Sequence, residues 1–124
     1  MLILLAHGSN DPRWRGALEQ MTLQLQAESC DQDIQLAYMQ CAPPTLEDTL
    51  VIARREGARR VRVLPLFLTR CGHVERTVCP MVAALQARFD DIEIELLAPL
   101  SEHASFLALL RAIAAGDADA RPAS

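Results

Sequence analysis

Two histidines carry most of the chemistry this chain could perform: His7, within AHGSND, and His73, within TRCGHVERT. An imidazole with an unperturbed pKa of about 6.5 presents a neutral nitrogen near neutral pH, able to take a proton or to ligate Co, Ni, Fe or Zn. Two imidazoles are too few for a closed structural metal centre. With coordination positions left vacant, such a pair can load a metal and hand it on, which a four-ligand site does not do easily. Taken singly, a histidine beside glycine at a strand end can also cap a helix or bond a loop carbonyl. Around the pair stand Cys71 and Cys79, whose thiolates would favour softer ions. Gln40 and Cys41 lie after the second apolar run, and His103 lies in a Ser-Glu-His segment that reads first as a helix start.

The elements that must position these groups follow from an alternation repeated four times, a short apolar run and then a segment of helical period. Leu2 to Ala6 precedes a helix capped by Asp11, with Pro12 at its first position and Trp14, Ala17, Leu18, Met21 and Leu25 as its apolar stripe, reaching about Gln26. Ile34 to Met39 precedes a helix opened by a Thr45/Asp48 capping box, carrying Leu46, Leu50 and Ala53 inward and ended by Gly57. Val61 to Leu68 precedes a loop and then a helix from about Thr77, which keeps Pro80 in the first turn and turns Val78, Val82, Leu85 and Phe89 inward. Ile92 to Leu97 precedes a helix capped by Ser101, with Phe106, Leu110 and Ile113 on one face. One α/β domain over residues 1–116 is expected, followed by a frayed tail at 117–124.

A strand buried on both faces reads as continuously apolar, whereas an edge strand alternates. By that test the first and third runs are central and the second and fourth are edges. Right-handed crossovers then give a flavodoxin-like, three-layer fold: a four-stranded parallel sheet of order 2-1-3-4 with helices on both faces. Pro65 in a central strand reads as a bulge. In this topology the ligand crevice opens beyond the carboxyl ends of the first and third strands, where His7 and His73 lie.

Composition narrows the alternatives. The 124 residues carry a formal charge of −4, against nucleic acid as a partner, and their basic residues are all Arg, which suits carboxylate recognition. Four cysteines without a C-x-x-C pair and the absence of a long apolar run point to a reduced, cytoplasmic protein away from the membrane. Neither a G-x-G-x-x-G nor a G-x-x-x-x-G-K-[ST] motif is present, so nucleotide binding has no motif support. A receiver domain would need a lysine and a histidine phosphatase an Arg before His-Gly, where this chain has Ala6.

Four segments, LLAHGSNDPRW, APPTLEDTL, GARRVRVLPLFL running into CGHVERTVCP, and IELLAPLSEH, together resemble the small, single-domain sirohydrochlorin chelatases of the class II chelatase group, over about residues 2–113. The resemblance implies insertion of Co²⁺ or Fe²⁺ into a sirohydrochlorin-type tetrapyrrole in cobalamin or sirohaem biosynthesis. The divalent metal (Co²⁺, Fe²⁺ or Ni²⁺) would be a substrate, with no tightly bound cofactor. His7 and His73 would hold the metal and assist loss of the two pyrrole protons. It also implies a homodimer, since one four-stranded unit supplies half a cleft. Arg13, Arg15, Arg70 or Arg76 could then pair with the carboxylate fringe of the ring and Ser9 donate a hydrogen bond, each equally a solvated surface group, while Gln40 would bind substrate from the rim of the crevice. Relatives usually carry an acidic residue where this chain has Gln40, Arg where it has Asn10, and further glycines before Cys71-Gly72. A non-catalytic metal or tetrapyrrole carrier is the alternative, and a regulatory partner-binding domain a third.

Overall fold

The structure, a computed structural model, describes residues 1–70 and 72–117, and at positions 73 and 74 the backbone only. Cys71 and residues 118–124 of the expected tail lie outside the described residues. The elements run β1 (Leu2–Ala6), α1 (Pro12–Glu28), β2 (Ile34–Tyr38), α2 (Leu46–Arg55), β3 (Arg60–Pro65), α3 (Gly72–Arg88), β4 (Glu93–Leu96), a 3-10 turn (Leu100–Glu102) and α4 (Ala104–Ala115). The sheet is parallel throughout, in the order β2-β1-β3-β4. Its order and the edge positions of β2 and β4 are those expected from the apolar patterns. No described helix is long and apolar enough to cross a membrane.

Alternation along the central strands divides the interior in two. Ile3, Leu5, Val61 and Val63 join Leu46 and Leu50 of α2 and Val78, Val82 and Leu85 of α3 in one cluster. Leu4, Ala6, Leu36 and Tyr38 form the other, with Leu18 and Leu25 of α1 packed against it. Each fully buried aliphatic side chain contributes about 1.5–3 kcal/mol through removal from water, so both layers hold the strand ends in place.

Local signals explain most boundaries. The Asp11 carboxylate accepts the Arg13 N–H at the start of α1, and this hydrogen bond, with the Arg13 side chain beside it, holds the carboxyl below its ordinary pKa. Thr45 and Asp48 exchange both bonds of a capping box. Four expectations need correction. The inward side of α1 is centred on Leu18, Thr22 and Leu25; Trp14 and Met21 are exposed, and Thr22 is buried because its hydroxyl bonds the Leu18 carbonyl at 2.8 Å. Pro65 makes no bulge: it is the last residue of β3, in register with Leu5, and its missing N–H would face β4, which has ended beside Val63. Helix α3 begins at Gly72, so His73 lies in its first turn and Pro80 lies inside the helix. Pro80 denies the Arg76 carbonyl its usual donor, a loss offset by burial of Val78, Val82, Leu85 and Phe89 on the same helix and its exit. Ser101 belongs to the 3-10 turn, and the residue at the start of α4 is His103, without a side-chain cap.

Candidate functional site

His7 is the first residue beyond β1 and is exposed at the carboxyl end of the sheet. Two neighbours hold its ring. The side-chain Nε2 of Gln40, just past β2, stands 3.3 Å from His7 Nε2, and the Phe67 ring, just past β3, meets it edge-on with centroids 6.5 Å apart at 72°. The Gln40 amide N–H can donate to that ring nitrogen in the tautomer that carries its proton on Nδ1. Segments following three different strands therefore meet at one imidazole.

The backbone makes this approach possible. Gly8 has φ +105°, and a Cβ on it would lie 1.9 Å from the Gln40 carbonyl oxygen, so only glycine lets the segment after β2 come so near. That segment is fixed from both sides: the Met39 N–H donates to the Ala6 carbonyl at 2.9 Å and the Tyr38 N–H to the Pro44 carbonyl at 2.9 Å. Cys41, exposed with φ +69°, turns the chain between them.

On the far side of Phe67 the chain enters α3, whose first turn carries position 73. The structure thus brings the backbone at 73 to the same end of the sheet as His7, after the neighbouring central strand. Arg76, one turn along at a spacing that shares its face with position 73, is exposed and makes no ion pair among the described residues. Other cations expected at the mouth are engaged. Arg13 pairs with Asp11 at 3.3 Å, and Arg15 donates to the Ser9 carbonyl at 2.9 Å. Arg70 reaches Glu102 at 2.6 Å and Glu75 at 2.8 Å, which together push its pKa above the ordinary arginine value. The Ser9 hydroxyl accepts the Asp11 N–H at 3.0 Å and retains its own proton to donate. His103, next to Glu102, has its Nε2 2.7 Å from the Ala98 carbonyl oxygen.

Between the carboxyl ends of β3 and β4 and the start of α3 lies a cleft of about 100 Å³, lined among others by Val78, Leu96, Thr69, Arg70, Glu75 and Cys79. Cys79 is exposed and unpaired. Phe67, Glu75 and Glu102 were not singled out by sequence reasoning. Phe67 had a signal, an aromatic residue two positions past the proline that ends β3; the two glutamates had none, since their shared partner appears only in three dimensions.

A family model named CbiX matches residues 1–115. The chain is 25% identical over 90 residues to the sirohydrochlorin cobaltochelatase of Methanopyrus kandleri, covering 73% of this chain and 62% of that protein. It is 26% identical over 102 residues to the chloroplastic sirohydrochlorin ferrochelatase of Arabidopsis thaliana, covering 82% and 45%. It therefore spans less than two thirds of the length of these relatives. Among solved structures, a CbiX protein from Marinobacter aquaeolei VT8, named for cobalamin biosynthesis, matches with a TM-score of 0.76 and 29% identity over 94% of each chain. The cobalt complex of the sirohydrochlorin chelatase SirB from Bacillus subtilis subspecies spizizenii matches with a TM-score of 0.64 and 20% identity, over 80% of this chain and 42% of that one, a likeness of fold.

Proposed function

Because this chain belongs to the CbiX family, we propose that it inserts a divalent metal, Co²⁺ or Fe²⁺, into a sirohydrochlorin-type tetrapyrrole in cobalamin or sirohaem biosynthesis, with His7 and His73 as metal ligand and base. The observation that carries this reading is the convergence at His7: an exposed imidazole contacted from β2 by Gln40 and from the entry to α3 by Phe67. An incoming M²⁺ needs a ligand set with room to spare, and the macrocycle must release two N–H protons as four pyrrole nitrogens replace that set. An imidazole can serve at either stage. The balance is M²⁺ plus the free-base ring giving the metallated ring plus two protons, with no nucleotide consumed.

Further residues follow the same reading. Arg76, which makes no ion pair among the described residues, supplies a cation for the carboxylate fringe of the ring, and Ser9 a hydroxyl donor. The metal is substrate, not a resident group. The cleft beside Arg70 holds about 100 Å³, well below the roughly 300 Å³ at which ligand pockets begin and far less than a four-ring macrocycle requires, which supports a homodimer completing the enclosure. Three exposed, unpaired cysteines suit a reducing compartment such as the cytoplasm.

The test is anaerobic incubation with sirohydrochlorin and Co²⁺, Fe²⁺ or Ni²⁺, each rate compared with spontaneous insertion. Wild type is expected to exceed the spontaneous rate, and His7→Ala and His73→Ala to lose at least about a hundredfold in kcat while melting within a few degrees of wild type. A protein that binds metal or ring but leaves the metal-free spectrum unchanged is a carrier, and the chelatase reading falls.

A further inference from the structure

We propose that Arg70 is a positioning residue that fixes the His73-bearing turn, and that it is not an anchor for a substrate carboxylate. The inference rests on the chelatase reading of the site. Arg70 lies between β3 and α3, and its guanidinium spans two other elements: Nη1 donates to Glu75 Oε1 in the first turn of α3 at 2.8 Å, and Nε donates to Glu102 Oε2 in the 3-10 turn at 2.6 Å. The same seam is closed by two backbone bonds, from the Leu100 N–H to the Phe67 carbonyl at 2.9 Å and from the Ser101 N–H to the Leu68 carbonyl at 2.8 Å. One side of this junction bears Phe67, which touches His7; the other is the helical turn that holds position 73.

Charge and geometry both argue against a substrate role. Arg70 with Glu75 and Glu102 makes a cluster of net charge −1, which repels an anionic ring edge, and a carboxylate arriving from outside would have to displace one already bound. A planar guanidinium with its donors in a fixed fork can hold two carboxylates in a set relation, where a lysine ammonium, a point charge on a flexible stem, cannot. All three side chains are 40–55% exposed, so the bridges add little to global stability. Their effect is local. They set where the first turn of α3 sits, at a helix end whose backbone N–H groups lack intrahelical partners.

The experiment compares Arg70→Gln, Arg70→Lys, Glu102→Gln and the Arg70→Gln/Glu102→Gln double variant of the full chain in insertion kinetics, in Co²⁺ titration of the ring-free protein, and in amide hydrogen exchange. Each single Gln variant is expected to lower kcat about tenfold with KM for the ring within about twofold, to weaken Co²⁺ binding by a similar factor, and to speed exchange in the first turn of α3; the double variant should be no worse than either single one. Arg70→Lys should be impaired nearly as much as Arg70→Gln. The proposal is overturned if Arg70→Gln raises KM for the ring about tenfold while Glu102→Gln is neutral, the pattern of a substrate anchor. Should wild type insert no metal, the chelatase reading fails, and exchange alone judges the clamp: unchanged protection in both Gln variants removes it.

Discussion

Gly8 has the narrowest tolerance of any residue near the site. Its φ of +105° is one that side-chain-bearing residues rarely adopt, and the atom a Cβ would strike is a backbone carbonyl oxygen, which cannot swing aside as a flexible side chain can. Gly8→Ala should therefore cost about 2–4 kcal/mol in urea unfolding and, by moving Gln40 away from His7, weaken Co²⁺ binding as well. A variant with wild-type stability would show that the segment after β2 yields without penalty. The sequence offered His-Gly-Ser as a turn and named His7, but the reason for the glycine was out of reach. That reason is a contact with Gln40, 32 positions away, which exists only because β1 and β2 are neighbours in the sheet.

At the scale of elements, α2 shows when a boundary can be read in advance. Thr45 and Asp48 act on each other three residues apart and Gly57 acts locally at the far end: the Asp48 N–H donates to the Thr45 hydroxyl at 3.1 Å, the Thr45 N–H donates to the Asp48 carboxylate at 2.9 Å, and Gly57 takes φ +77°. Thr45→Ala is expected to cost about 1 kcal/mol, a fall of about 3–6 °C in the melting temperature of a chain this size, measured by circular dichroism. An unchanged melting temperature would mean that water replaces the cap at no loss. The start of α3 could not be read so easily, because its punctuation is misleading. Proline is best placed in a first turn, so Pro80 argues for a late start, yet the helix runs from Gly72 and accepts one missing hydrogen bond in exchange for an apolar face buried on β1 and β3. The stripe of α1 failed for a different reason. Apolar residues occupy a wide arc of that helix, and only packing selects Leu18, Thr22 and Leu25 over Trp14 and Met21.

For the whole molecule the outstanding feature is α4. None of its residues is buried, and Leu107, Leu109, Leu110 and Ile113 are 38–49% exposed. At 100° per residue these four positions fall within less than half a turn, a continuous apolar arc facing water. A second copy laid against this arc would cover it. Light scattering at micromolar concentration is expected to give a dimer, and Leu107→Glu/Leu110→Glu to weaken it at least about a hundredfold, because two carboxylates from each subunit would have to be buried without partners. If the ring is enclosed between copies, insertion should fall in step with the dimer fraction and recover as protein concentration is raised. A wild-type monomer with full activity would remove the dimer from the proposal, and an active monomeric variant would separate assembly from catalysis. In either case the site around His7, Gln40 and Phe67 would have to suffice within one subunit, with the outer face of the macrocycle against solvent.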